Sequence, residues 1–250
     1  MLLLSPIWLT KAETARRIRQ RIGTVLDWAK AAGHRVASNP VREISKALPR
    51  QSDRQVHHAA LPYSEVPAFI ARLHREDAAT LAGLAFEFLV LTAARTSEVL
   101  EARWSEIDFQ QEAWTIPGGR MKARREHRVP LAPRCIELLS QARTLSTGSD
   151  FIFPGRSNDR PMSNMVLLMT MRRMQLGFTV HGFRSAFRDW ASERTNFARE
   201  ICEAALAHVV KDKTEAAYRR GDLFEKRRQL MTSWTAYVTS SGAAIVPLRA

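Results

Sequence analysis

Six residues in the C-terminal two thirds of this chain could together do phosphate chemistry: Arg95, Lys122, His181, Arg184, His208 and Tyr218. They follow one another at intervals of 27, 59, 3, 24 and 10 residues. Arginine binds a phosphodiester through a planar fork that spans two oxygens, which an ammonium cannot do. With two arginines, a lysine, two histidines and a tyrosine, a protein has the groups needed to grip a phosphodiester, protonate its leaving oxygen and attack its phosphorus. That set requires no metal ion and no other cofactor.

Each residue taken singly also has an ordinary structural reading. Arg95, in LTAARTSEVL, follows a very apolar run and opens the next helix, as many helix-start arginines do. Glu98, three residues on, could orient it or pair with another buried cation. His181 and Arg184, in HGFRSAFRDW, lie three apart and so share a helical face. A His-x-x-Arg pair is expected by chance about once in a chain of this composition. Lys122 stands in GGRMKARREHRVPL, between two strand-like runs and among Arg120, Arg124, Arg125 and Arg128. By itself that loop is a basic hairpin suited to touching a DNA backbone. His208, in ALAHVV, reads alone as a satisfied core histidine. Tyr218 stands in EAAYRRGD, where Arg219 and Arg220 add positive charge. A phenol titrates near 10, so it attacks phosphorus only with a base and cations beside it. Tyr63 and Tyr237 lack that setting and read as structural.

The elements that must position these groups are mostly helical. Residues 11–32 place Ala15, Ile18, Ile22, Val25, Leu26 and Ala29 at three- and four-residue steps, with Gly33 as a stop. The other face carries Arg16, Arg17, Arg19 and Arg21, either a solvated face or one lying along DNA phosphates. A short helix is expected between Pro40 and Leu48, then a polar linker, LPRQSDRQVHHAALP, with proline at both ends. His57 and His58 in it read as linker histidines, since nothing nearby completes a metal site. Helices are expected near 63–76, 78–93 and 96–103, then short strands at 107–131 around Gly118-Gly119. Helices resume near 133–143, 163–175, 182–194, 197–207, 212–219 and 223–239. The fold class is therefore mainly α with a small antiparallel β-sheet.

Composition narrows the partner. With 38 Lys+Arg against 25 Asp+Glu, the 250-residue chain has a formal charge of +13, which favours a polyanion, nucleic acid before membrane. Cys135 and Cys202, widely separated, give no disulfide framework and no zinc-ligand spacing, and fit a reducing compartment. The apolar start MLLLSPIWL is too short for a membrane span and lacks the basic region and cleavage site of a signal peptide. A cytoplasmic protein is expected.

The six residues, their order and the strings RTSEVLEARWSEID, RREHRVPL, HGFRSAFRDWA, EAALAHV and AAYRRGDLFEKRR resemble the tyrosine recombinases of the phage-integrase family, in its prophage and genomic-island branch. The resemblance covers residues 6–238 and implies a division into a partial helical core-binding domain (1–50), a linker (51–61), a catalytic domain (62–240) and a tail (241–250). It implies that Arg95 and Arg184 clamp the scissile phosphate, that His181 accepts the nucleophile's proton and that Lys122 protonates the departing 5′-oxygen. His208 would donate to a non-bridging oxygen, and Tyr218 would form a 3′-phosphotyrosyl link. Arg16, Arg19, Arg120, Arg124, Arg125 and Arg128 would contact DNA. The implied partners are an attachment-site duplex, four protomers in synapsis and an accessory DNA-bending protein, on a bacterial nucleoid. Residues 221–238 would dock on a neighbouring protomer or pack on their own domain. Only about 55 residues precede the linker, fewer than the arm-binding and complete core-binding domains of that branch, so the chain reads as N-terminally shortened. Two other functions stay open: a DNA-binding remnant without catalysis, and DNA relaxation of the type IB topoisomerase kind.

Overall fold

The computed structural model describes residues 3–51, 60–77, 80–208 and 221–240, with Ser45 as backbone alone. His57, His58, Tyr218, the helix expected at 212–219 and the tail from 241 lie outside the described residues. The chain separates into two compact units, residues 1–57 and 58–250.

In the first unit, α1 (Ser5–Trp8) leads into α2 (Ala12–Ala31) and α3 (Val41–Ala47). A small core of Leu4, Trp8 and Ala15 is flanked by Ile7, Ile18 and Leu48. Trp8 donates its indole N–H to the Pro49 carbonyl at 2.7 Å, and Gln51 donates to the Trp8 carbonyl at 2.6 Å. Asn39 ties α2 to α3, giving its amide to the Gly23 carbonyl at 2.9 Å and accepting from Val41 N at 3.0 Å. The expected apolar face of α2 is covered unevenly: Ala15 is buried, Ile18, Ile22, Leu26 and Ala29 are partly buried, and Val25 is 60% exposed.

The second unit is built around α5 (Leu81–Thr92), which is apolar on all sides and therefore buried on all sides. Thr80 caps it, accepting from Gly83 N at 2.9 Å. Glycine is required there, because a Cβ at position 83 would lie 2.1 Å from the Asp77 carbonyl oxygen. Around α5 pack α4 (Val66–Asp77), α7 (Pro133–Leu145), α8 (Val166–Arg173) and the final helix α11 (Phe224–Thr239). Among the described residues, the other α-helices of this unit are α6 (Thr96–Leu100), α9 (Gly182–Arg194) and α10 (Arg199–Ala205). Strands β1 (Ile107–Asp108), β2 (Ala113–Ile116) and β3 (His127–Pro130) form an antiparallel sheet in that order. Trp114 faces Val129 and Ile116 faces His127 across it.

The helix expected at 96–103 ends at Leu100, because a tight turn at Trp104–Glu106 takes over. The Glu106 carboxylate holds that turn, accepting from Arg103 N at 3.3 Å and from the Trp114 indole at 3.0 Å. The final helix packs on its own domain. Leu230, Met231, Trp234 and Val238 are buried, and Trp234 donates to the Val90 carbonyl of α5 at 2.8 Å. Trp190 packs at a tilt against Trp234, Tyr237 stacks on it, and Tyr237 donates its hydroxyl to the Tyr63 carbonyl at 3.3 Å. Cys135 and Cys202 are buried free thiols. Among the described residues, no helix is long and apolar enough to cross a membrane.

Candidate active site

The α5–α6 junction supplies the first arginine. Helix α5 ends at Ala93 in the left-handed region (φ 49°), which turns the chain so that Arg95 becomes the N-cap of α6. Glu98, one turn into α6, is 3% exposed and acts twice. Its carboxylate accepts from the Arg95 backbone N at 2.7 Å and from the Arg95 guanidinium at 2.5 Å. A buried carboxylate thus fixes the direction of a partly exposed guanidinium.

The second arginine reaches the same junction from α9. Arg184 is 6% exposed and donates Nη1 to the Ala93 carbonyl and Nη2 to the Leu206 carbonyl at 2.7 Å. Burial and the nearby Arg95 push its guanidinium down to about 10, with Glu98 opposing them. It stays charged at neutral pH, and the site concentrates positive charge where a phosphate would neutralise it. His181 is the N-cap of the same helix and is exposed, in the turn before Arg184.

The Leu206 carbonyl links Arg184 to the end of α10, beyond which His208 stands half-exposed. His208 Nδ1 lies 2.6 Å from a Glu203 carboxylate oxygen, and Arg188 donates to the other oxygen at 2.8 Å. Burial acts to raise the Glu203 carboxyl, but the His208 and Arg188 hydrogen bonds outweigh it and hold the group below its ordinary value. Glu203 therefore remains an anion that orients the imidazole.

Lys122 lies exposed in the β2–β3 connection, after a tight turn at Gly118–Arg120. A Cβ at Gly118 would press to 3.0 Å on the Arg124 carbonyl oxygen. Of the arginines expected to face DNA, Arg124 and Arg125 are exposed. Arg120 is partly buried. It donates to the Glu98 carbonyl at 3.0 Å and pairs with the Glu106 carboxylate, which fastens the base of the loop to α6. Arg128 lies 4.1 Å over the Phe224 ring and donates to the Gln111 side chain at 3.2 Å. In the first unit, Arg16 sits 3.4 Å from Glu13, and Arg19 lies 5.5 Å over the Trp8 ring.

The described structure thus brings Arg95, Arg184 and the His208 segment into one network, with Lys122 on a loop tied to the same α6. Tyr218 lies outside the described residues. Sequence reasoning overlooked His127, Glu203, Glu106 and Arg227. His127 lies beside the backbone of Ala205 and sits in the field of Arg227, Glu98 and Arg184. Burial first, then Arg227, pushes its imidazole down to about 4, so it is neutral. The signal available was His127 next to Arg128 in RREHRVPL, where a basic run hides a residue that points inward.

The model of the phage integrase family matches residues 60–222, and that of the phage integrase central domain matches residues 1–47. Prophage integrase IntZ of Escherichia coli K12 is 35% identical over 235 residues, covering 92% of this chain and 57% of that protein. Prophage integrase IntA of the same organism is 33% identical, covering 94% of this chain and 57% of its own length. The chain therefore spans a little over half the length of these relatives. A lambda integrase tetramer bound to a Holliday junction superimposes with a TM-score of 0.61 at 20% identity, over 81% of this chain and 60% of that one. With a helical domain and three-stranded sheet of this kind, and a family model matching most of its length, the chain belongs to the phage integrase family.

Proposed function

We propose that the chain acts as a tyrosine-type site-specific DNA recombinase, cutting and rejoining duplex DNA to integrate or excise a prophage or genomic island. The observation that carries this reading is the Arg95–Glu98–Arg184 constellation, two guanidinium groups converging on one helix junction in a member of this family. Preorganised cations aimed at the non-bridging oxygens are worth about 10²–10³ in rate each.

In this reading the Tyr218 oxygen attacks the scissile phosphorus while its proton passes to His181. The bond from phosphorus to the 5′-oxygen breaks, and Lys122 delivers a proton to that oxygen. His208 donates to a non-bridging oxygen. The 5′-hydroxyl of a partner duplex then attacks the phosphotyrosyl phosphorus, the bond to the Tyr218 oxygen breaks and that oxygen recovers its proton, so the bond energy is conserved without ATP. The partners in this reading are duplex DNA at an attachment core and further copies of the chain, four in synapsis, with an accessory bending protein. A DNA-bound tetramer is what the lambda integrase structure contains. The proposed place of action is the bacterial cytoplasm, on the nucleoid.

The test is a covalent-capture assay without metal or ATP, on a pool of nicked duplexes with a randomised core. A denaturation-resistant adduct that disappears in Tyr218→Phe supports the reading and yields the preferred core by sequencing. An equal signal in the two proteins would overturn it. Binding without any adduct would make the chain a DNA-binding protein without catalysis.

A further inference from the structure

Lys122, the proton donor of the proposed reaction, is an exposed side chain on a flexible four-carbon stem, so its reach is decided by where its backbone is held. Residues 117–126 connect the paired Ile116 and His127, a longer span than the about 2–5 residues of an ordinary hairpin loop. A connection of that length moves unless it is fastened. Turns close the chain on both sides of Lys122: Met121 N donates to the Gly118 carbonyl at 3.1 Å, and Arg124 N to the Met121 carbonyl at 3.0 Å. Met121, the residue before Lys122, is 4% exposed and belongs to the core of this unit.

Arg120 makes the tie to other elements. Its Nη1 donates to the Glu98 carbonyl of α6 at 3.0 Å, and its Nη2 pairs with the Glu106 carboxylate. Glu106 is held from two further directions, by the Trp114 indole of β2 at 3.0 Å and by Arg103 N at 3.3 Å. Both acceptors of the guanidinium are thus fixed independently of the loop. Lys122 follows Arg120 by two residues, and two residues extend at most about 7 Å, so the clamp confines the Lys122 backbone to the neighbourhood of α6. Arg95 is oriented differently. Its bonds run to the Glu98 carboxylate, whereas Arg120 uses the Glu98 carbonyl. Releasing Arg120 therefore frees the loop and leaves the Arg95 bonds in place.

We propose that Arg120 is a positioning residue for leaving-group protonation: its clamp on Glu98 and Glu106 holds the β2–β3 loop against α6 and so keeps Lys122 within range of the departing 5′-oxygen. This inference rests on the recombinase reading above. The competing account is that Arg120 only stabilises the fold.

The experiment measures single-turnover adduct formation by the full chain on two nicked duplexes that share the core recovered by covalent capture. One carries the ordinary 5′-oxygen at the scissile phosphate, the other a bridging sulfur in its place. A thiol titrates near 8.5, far below an alcohol, so the 5′-thiolate departs without a proton. Loss of proton donation therefore slows the oxygen substrate alone. Arg120→Ala removes the clamp. Arg120→Lys keeps the charge without the planar fork that spans both acceptors, and serves if Arg120→Ala does not fold. Lys122→Ala marks the complete loss of protonation, and Leu139→Ala, in the core of α7, supplies a loss of thermal midpoint away from the site. Both Arg120 variants should be at least tenfold slower than wild type on oxygen and within about twofold of it on sulfur, in the pattern of Lys122→Ala. Leu139→Ala should stay near the wild-type rate on both. Wild-type rates on oxygen in the Arg120 variants, or equal slowing on the two substrates, would overturn the inference alone. No adduct from the wild-type chain on either substrate would overturn the recombinase reading itself, and this inference with it.

Discussion

Arg184 donates Nη1 to the carbonyl of Ala93, two residues before Arg95, so the second arginine of the site is built into the turn that presents the first. The left-handed Ala93 and the Leu206 carbonyl complete this joint. Arg184→Lys leaves one ammonium where a fork bridged two carbonyls. Adduct formation should fall by about 10²–10³ in single-turnover assays. The thermal midpoint should drop by several degrees, at about 2–4 °C per kcal/mol for a protein of this size. A variant that keeps the full rate would remove Arg184 from the chemistry.

The arginines of the β2–β3 loop should divide by function. Arg120→Ala strips the Glu106 carboxylate, 9% exposed, of its cationic partner and should cost about 2 kcal/mol of stability in denaturant titration. Arg125→Ala, at an exposed position, should leave stability unchanged and reduce the slope of log affinity against log salt by about 1. A reversed pattern would mean that Arg120 faces the phosphates.

Glu203 orients His208 through a 2.6 Å contact and is itself held by Arg188. Glu203→Gln removes the anion and keeps the shape. Adduct formation should slow about tenfold, the scale of one charged hydrogen bond, with DNA affinity unchanged. An equal loss of affinity and rate would assign Glu203 to DNA binding instead.

His127 makes the fold sensitive to acid. Its imidazole titrates at about 4 in the folded chain and near 6.5 when unfolded, so the unfolded state binds more protons between those values. The contribution is fully present above about pH 6.5 and is lost as pH falls towards 4, at up to about 1.4 kcal/mol per pH unit. Denaturant titrations at pH 7 and pH 5 should show this loss, and His127→Gln should lose less on acidification. Equal pH dependence in the two proteins would exclude His127 as the source.

Glu87 is a buried carboxylate far from the proposed chemistry in role. His74 approaches it at 2.7 Å, and Arg134 donates to it at 2.8 and 3.1 Å. Burial alone would raise its pKa, but these two partners hold it below the ordinary value. Glu87→Ala should destabilise by about 3 kcal/mol, because it leaves Arg134 without its main anion. Adduct formation measured well below the melting midpoint should be unchanged. A rate loss there would show that α5 transmits strain to the Arg95 turn.

The residue types and order of Arg95, Lys122, His181, Arg184, His208 and Tyr218 were legible in the chain, and so was a mainly helical fold with one small antiparallel sheet. The helix expected at 182–194 is α9 to the residue. Local signals also announced α5, whose apolarity on all sides requires a central position. What they could not decide was which member of a basic run points inward. Arg120, Arg124, Arg125 and Arg128 look alike in sequence, yet one pairs with Glu106, two are exposed and one lies on Phe224. The partners of Arg184 and Arg227 likewise lie 91 and 99 residues away, at Ala93 and Arg128. Those partners are mostly backbone carbonyls, which carry no residue-type signature. Sequence determined which chemistry was available, and tertiary structure decided which cations are free for a phosphate and which are spent holding the site together.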